Sequence, residues 1–182
     1  STRIMDPLQT FLNVFVALIS IINPLGVIPF WISLTADRTE EEKSEIMLAV
    51  VKNVAIITII FLLLGKLIMS FFGLSITAIR LSGSLMMMLI AIRALFEQPK
   101  KLNAKTMERA HDREDISFSP MTMPLLVGPG VLAIVLAFTE NNGYIWESFQ
   151  VALSYGMYVL AIAANIVAIY FALRYSKYVI KL

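Results

Sequence analysis

Cysteine is absent from all 182 residues, histidine occurs once, and no carboxylate lies deep in any long apolar run. Without thiols there is no disulfide framework and no thiolate chemistry. His111, the lone histidine, stands among charges in a polar connection, where an imidazole is far more often solvated surface than a catalytic or metal-binding group. Hydrolases and transferases need a nucleophile and a base, or metal ligands, within reach of one another. No cluster of His, Cys or Asp supplies them, so neither an enzyme nor a bound cofactor or metal is expected. Charge is scarce as well: charged residues make up 15% and the formal net charge is +2. The basic residues gather in connections rather than on one face interleaved with aromatics, so nucleic acid is not an expected partner.

What the chain has is apolar length. Hydrophobic residues make up 58% and mean hydropathy is +0.78, above the roughly half-apolar usage of soluble domains. Both values point to an integral membrane protein whose surroundings are lipid. Apolar runs cover residues 11–34, 46–72, 76–96, 118–139 and 148–173, each near or above the roughly 20 residues a spanning helix needs. The first run is longer than a cleavable signal core. Ser1 to Ile4 ahead of Met5 read as a fusion remnant, with Met5 the expected start. Lys52 and Lys66 bracket the most apolar part of the second span and can carry their ammonium groups to opposite headgroup regions. Ser82-Gly83-Ser84 gives the third span a small-residue face for close packing. Met86 to Met88 read as lipid-facing or gap-filling, since thioethers without His or Cys beside them suit few metals. Tyr144 and Trp146 are placed as interfacial anchors.

Lysine and arginine are concentrated after spans one, three and five (Arg38, Lys43, the basic residues of 97–117, Arg174, Lys177 and Lys181). By the positive-inside bias those connections are cytoplasmic and the N-terminus faces outward.

Proline and glycine interrupt two of these runs in the same way. Asn23-Pro24-Leu25-Gly26 breaks the first and Gly128-Pro129-Gly130 the fourth. Proline removes a backbone donor and disfavours helical geometry in the residue before it. In hydrocarbon, broken backbone is tolerated only against protein or a polar cavity. An offset of 104 residues sets Gly26 on Gly130, Val27 on Val131, Ile28 on Leu132 and Thr35 on Thr139. The chain therefore reads as duplicated: residues 5–96 form a first three-helix repeat, 97–117 a cytoplasmic linker, and 118–182 a second repeat lacking its last helix. Three spans is an odd number, so the halves must enter the membrane in opposite senses. The expected fold is an all-α polytopic membrane helix bundle, an inverted repeat of three transmembrane helices with the first helix of each repeat broken and a sixth helix outside this chain.

Asn23-Pro24-Leu25-Gly26 with Pro29 and Leu34-Thr35, Arg80 followed by Ser82-Gly83, and Pro120 with Pro124-Leu125 and Gly128-Pro129-Gly130 occur in order over most of the chain. In these motifs it resembles the MarC family of bacterial and archaeal membrane proteins, which includes the SnatA small neutral amino acid transporters. Ser84 stands where members often have a second glycine. The resemblance implies six spans in two inverted halves, a prokaryotic cell (inner) membrane location and, for the SnatA branch, proton-coupled or sodium-coupled movement of glycine and alanine.

A small zwitterion needs an anion site and a cation site close together, and broken helices supply both through their exposed N–H and carbonyl ends. The expected substrate site is Asn23, Pro24, Leu25 and Gly26 facing Gly128, Pro129 and Gly130 near the midplane. The other role open to Asn23 is capping its own second half-helix. Ser20, Thr35, Thr139 and Asn165 can extend a polar path or simply join helices. Arg80 and Glu140, both toward the outward side, can form a gate or anchor separately at the interface. The coupling ion, H+ or Na+, and a homo-oligomer stay open. The alternative class is a non-transporting membrane scaffold or assembly protein, in which the kinks only help helices pack.

Overall fold

A computed structural model describes residues 6–96, 116–141 and 144–179. All regular structure among them is helical. In chain order the elements are α1 (Pro7–Ile22), α2 (Pro24–Leu34), α3 (Glu40–Phe72), α4 (Ile76–Phe96), a π-helix π1 (Ser117–Leu126), α5 (Pro129–Asn141), α6 (Phe149–Arg174) and a short α7 (Ser176–Val179). The linker expected over 97–117 lies outside the described residues except for Ile116 and Ser117, both buried.

Local chemistry sets the helix ends. Asp6 accepts from Leu8 N at 3.2 Å ahead of Pro7, and a proline suits a first turn because its missing N–H would have no partner there. Thr39 and Glu42 form a reciprocal capping box at α3, Glu42 N to Thr39 Oγ1 at 3.2 Å and Thr39 N to Glu42 Oε2 at 2.7 Å. Gly73 closes α3 at φ 63, and Leu74 N reaches back to Met69 O at 2.8 Å. Ser148 caps α6 by accepting from Val151 N at 3.2 Å.

Three helical stretches among the described residues, Pro7–Leu34, Glu40–Phe72 and Phe149–Arg174, are long and apolar enough to cross a membrane. The chain is a helical membrane protein. On α3, Val50, Val54, Thr58, Leu62, Gly65 and Met69 are buried at helical spacing, while Ile56, Ile60, Leu63 and Leu67 on the other face are exposed and equally apolar. A helix apolar all round suits a lipid-facing environment. Met86 and Met88 are also exposed.

The packing is crosswise between the two parts of the chain. α1 packs on α6 and π1 on α3; α2 packs on α6 and α5 on α3; α1 touches α5 and α2 touches π1; α3 and α6 pack on each other. Exchanging α1 with π1, α2 with α5 and α3 with α6 leaves this set of pairings unchanged. α4 lies on α5, where Gly83 makes the approach close: a Cβ there would stand 3.0 Å from Ala133 Cβ and 3.3 Å from Pro129 O. Gly65 of α3 meets Leu136 of α5 in the same manner.

Candidate functional site: the two helix interruptions

Between α1 and α2 the chain turns at Asn23, whose φ of 44 and ψ of 65 make it the one described non-glycine residue at positive φ. Asparagine tolerates this left-handed geometry better than most residues because its short side chain can bond locally. Asn23 N donates to Ile19 O at 3.0 Å, closing α1, and Asn23 Oδ1 accepts from Gly26 N at 3.2 Å, opening α2. One residue thus ends one helix and starts the next. Pro24 is buried, whereas Asn23, Leu25 and Gly26 are exposed, Leu25 at 64%.

The second interruption is built differently. In π1, Thr122 Oγ1 donates to Ser117 O at 2.7 Å, and Val127 N donates to Thr122 O at 2.8 Å, five residues back. Pro120 and Pro124 lie in this stretch and offer no N–H, so a regular i to i−4 ladder cannot run through it. Val127, at φ −114 and ψ 70, ends π1, and α5 starts at Pro129. Pro129 is exposed, Gly128 half-buried and Gly130 buried. Asn23 and Val127 stand 104 residues apart. The π-helix has no period or motif in the sequence that would have announced it.

Around the two interruptions the contacts are apolar. Ile22, Val27, Trp31, Leu126, Val127 and Val131 belong to one buried cluster. Electrostatically, the starts of α2 and α5 present the positive ends of their helix dipoles, and the end of α1 presents a negative one. At α2 the position that an anion would take is held by the Asn23 carboxamide. A cavity of about 10 Å³ lies beside Ile22 among α1, α3 and α6.

The remaining candidate residues are dispersed. Thr35 and Thr139 are buried, with hydroxyls donating to Trp31 O and Leu136 O, each at 2.8 Å. Ser20 is exposed and donates to Val16 O at 2.7 Å. Arg80 is exposed near the start of α4, and the side chain of Glu140 lies outside the described residues. Asn165 is buried in α6 and donates through Nδ2 to Ala161 O at 2.9 Å and across to Phe15 O of α1 at 3.4 Å. Sequence reasoning passed over Thr58, buried on α3 with its hydroxyl donating to Val54 O at 2.7 Å. It also passed over the pairing of Lys177 with Glu40 at 2.6 Å. A threonine inside an apolar run is a weak signal, and a pair 137 residues apart leaves none.

The model of the MarC family, described as integral membrane proteins, matches residues 8–182. A UPF0056 membrane protein of Methanocaldococcus jannaschii is 30% identical over 148 residues, covering 81% of this chain and 72% of the relative. The UPF0056 membrane protein YhcE of Escherichia coli is 31% identical over 130 residues, 70% of this chain and 60% of the relative. The UPF0056 membrane protein YvbG of Bacillus subtilis is 26% identical over 174 residues, 92% of this chain and 77% of the relative. No solved structure matches.

Proposed function

Because the chain belongs to the MarC family of integral membrane proteins, matched over residues 8–182, we propose that it is a secondary transporter of small neutral amino acids such as glycine and alanine. The observation that carries this reading is the pair of half-helix starts, Pro24 after Asn23 and Pro129 after Val127–Gly128, in crosswise-packed parts of the chain. Two interrupted apolar segments in corresponding places are where carriers build their substrate sites. The exchange-invariant packing supports two halves related by a pseudo-two-fold axis, and an odd number of spans per half makes them inverted, each with a discontinuous first helix. In this reading the N-terminus faces outward. The protein is not an enzyme; its partners are a zwitterionic substrate and lipid.

The buried Gly130 at the start of α5 favours a substrate with little side chain, its carboxylate set against the N–H groups of α5. Its ammonium faces carbonyls at the end of α1. In this reading the described conformation, with a cavity of only about 10 Å³ beside Ile22 against the about 300 Å³ or more of an open ligand pocket, is the closed one of the cycle. Alternating access then consists of the halves rocking apart about α3 and α6. Proton or sodium gradients drive it.

One observation favours the second reading, a scaffold: the interruptions are bridged by tightly buried aliphatic side chains. Counterflow in proteoliposomes with labelled glycine or alanine, with and without imposed proton and sodium gradients, separates the two. Gly130→Leu should abolish uptake while leaving a folded protein; unchanged uptake by that variant removes the site, and no uptake by the parent protein favours the scaffold.

A further inference from the structure

The interior of the bundle holds one side-chain acceptor without a partner among the described residues, Asn165 Oδ1, on a residue only 1% exposed. Its orientation is dictated by its neighbours. Ala161 O and Phe15 O are both acceptors, at 2.9 and 3.4 Å, so the amide nitrogen must face them and both of its hydrogens are committed. Turning the carboxamide over would set three oxygens against one another. Oδ1 therefore points away from them, and Asn165 lines the cavity of about 10 Å³ together with Thr58. The Thr58 hydroxyl gives its hydrogen to Val54 O at 2.7 Å, so its oxygen too can only accept. The rest of the lining is aliphatic, with Leu18 and Ile22 from α1, Val54 from α3 and isoleucines from α6.

A buried acceptor in a membrane interior is costly unless something donates to it. Whatever fills the cavity must be small, must carry at least two donors, and must offer no uncompensated charge to a mostly aliphatic wall. The volume is that of about one water-sized sphere, the least that holds a water with two or more polar partners. We propose that this cavity is a binding site for a single water molecule, donating one hydrogen to Asn165 Oδ1 and the other to Thr58 Oγ1. A bare sodium ion does not fit the same place, since it would exchange its hydration shell for two neutral side-chain oxygens. The site does not depend on the transport reading. It joins α3 to α6 beside Ile22, the last residue of α1.

The test is radiolytic hydroxyl-radical labelling of the detergent-solubilised protein in ¹⁸O-enriched water, read by mass spectrometry, because radicals formed from a bound water mark the side chains beside it. Ile162 and Ile166 should take up label several-fold above Val50 and Val131, which are buried away from the cavity. The excess should fall in Asn165→Leu and in the nearly isosteric Thr58→Val, which serves alone where the first variant does not fold. Labelling at the isoleucines no greater than at Val50 overturns the proposal. So does a melting temperature raised by sodium chloride and not by choline chloride in the parent protein and lost in Thr58→Val, which would make the occupant a cation.

Discussion

The side chain of Asn23 lies where a β-carbon on Gly26 would be: a Cβ built there stands 2.5 Å from Asn23 Nδ2 and 3.0 Å from Asn23 Cγ. Glycine at position 26 leaves the room into which the residue three places earlier folds its carboxamide over the start of α2. Gly26→Ala should therefore expel that side chain and lose the cap, a change worth about 1–2 kcal/mol. A melting temperature in detergent lowered by several degrees is the expected outcome. An unchanged value would mean that the cap contributes nothing to the fold.

Asn23 carries two burdens that substitution can separate. Asn23→Gly keeps the left-handed turn and exchanges one favourable cap residue for another, at a cost of a few tenths of a kcal/mol. Asn23→Ala also forces an alanine into that geometry, adding about 1–2 kcal/mol. Stability should fall in the order parent, glycine, alanine. If the Asn23 side chain also touches substrate, Asn23→Gly should lose most glycine uptake while melting almost as the parent does. Uptake that tracks stability across the three proteins would leave Asn23 a cap and nothing more.

At the charged end of the bundle Lys177 reaches Glu40 across 137 residues at 2.6 Å, and Lys43 shares the same carboxylate at 3.2 Å. α3 has 33 residues, roughly 50 Å at about 1.5 Å per residue, well over the roughly 30 Å of hydrocarbon. Its acidic first turns, before the apolar run from Ile46, therefore lie outside the membrane. The Lys177 ammonium, and then Lys43, hold the Glu40 carboxyl below the usual carboxylate range. A folded-state value below the unfolded one means that the pairing stabilises above the ordinary glutamate value and that this contribution is lost as pH falls through the depressed one. Melting temperature followed from about pH 7 down to about pH 3 should decline less steeply in Glu40→Gln than in the parent. The pair is exposed, so the difference should be small and should shrink with added salt.

Proline chemistry made part of this fold legible. Pro7, Pro24 and Pro129 each open a helix, in the one place where a missing N–H has no cost. The turn at Gly73, set in the sequence before Leu74-Ser75, likewise follows from a residue that accepts positive φ freely. What was not legible depends on partners far along the chain. The π-helical turns of Ser117–Leu126 depend on packing against α3 as well as on their prolines. Asn165 reads as one more polar residue in an apolar run until Phe15 O, 150 positions away, takes one of its hydrogens. The lining shared by Asn165 and Thr58 exists only because α3 and α6 pack together.

Gly83 offers the last test, of how α4 seats on α5. Its ideal Cβ position is 3.0 Å from Ala133 Cβ, tighter than side chains ordinarily tolerate. Gly83→Val should push the helices apart, costing about 1–3 kcal/mol as overpacking does. Gly83→Ala should cost less, and combining it with Ala133→Gly should restore most of the lost stability, because only the 3.3 Å approach to Pro129 O then remains. The parent chain has no cysteine, so a Gly83→Cys, Ala133→Cys pair reports on this contact alone. Its β-carbons need to separate by only about half an ångström to reach the about 3.5–4.5 Å of a disulfide. Rapid cross-linking under mild oxidation, seen as a mobility shift reversed by reductant, is expected. A pair that stays reduced would show that α4 and α5 do not meet at Gly83 in the membrane.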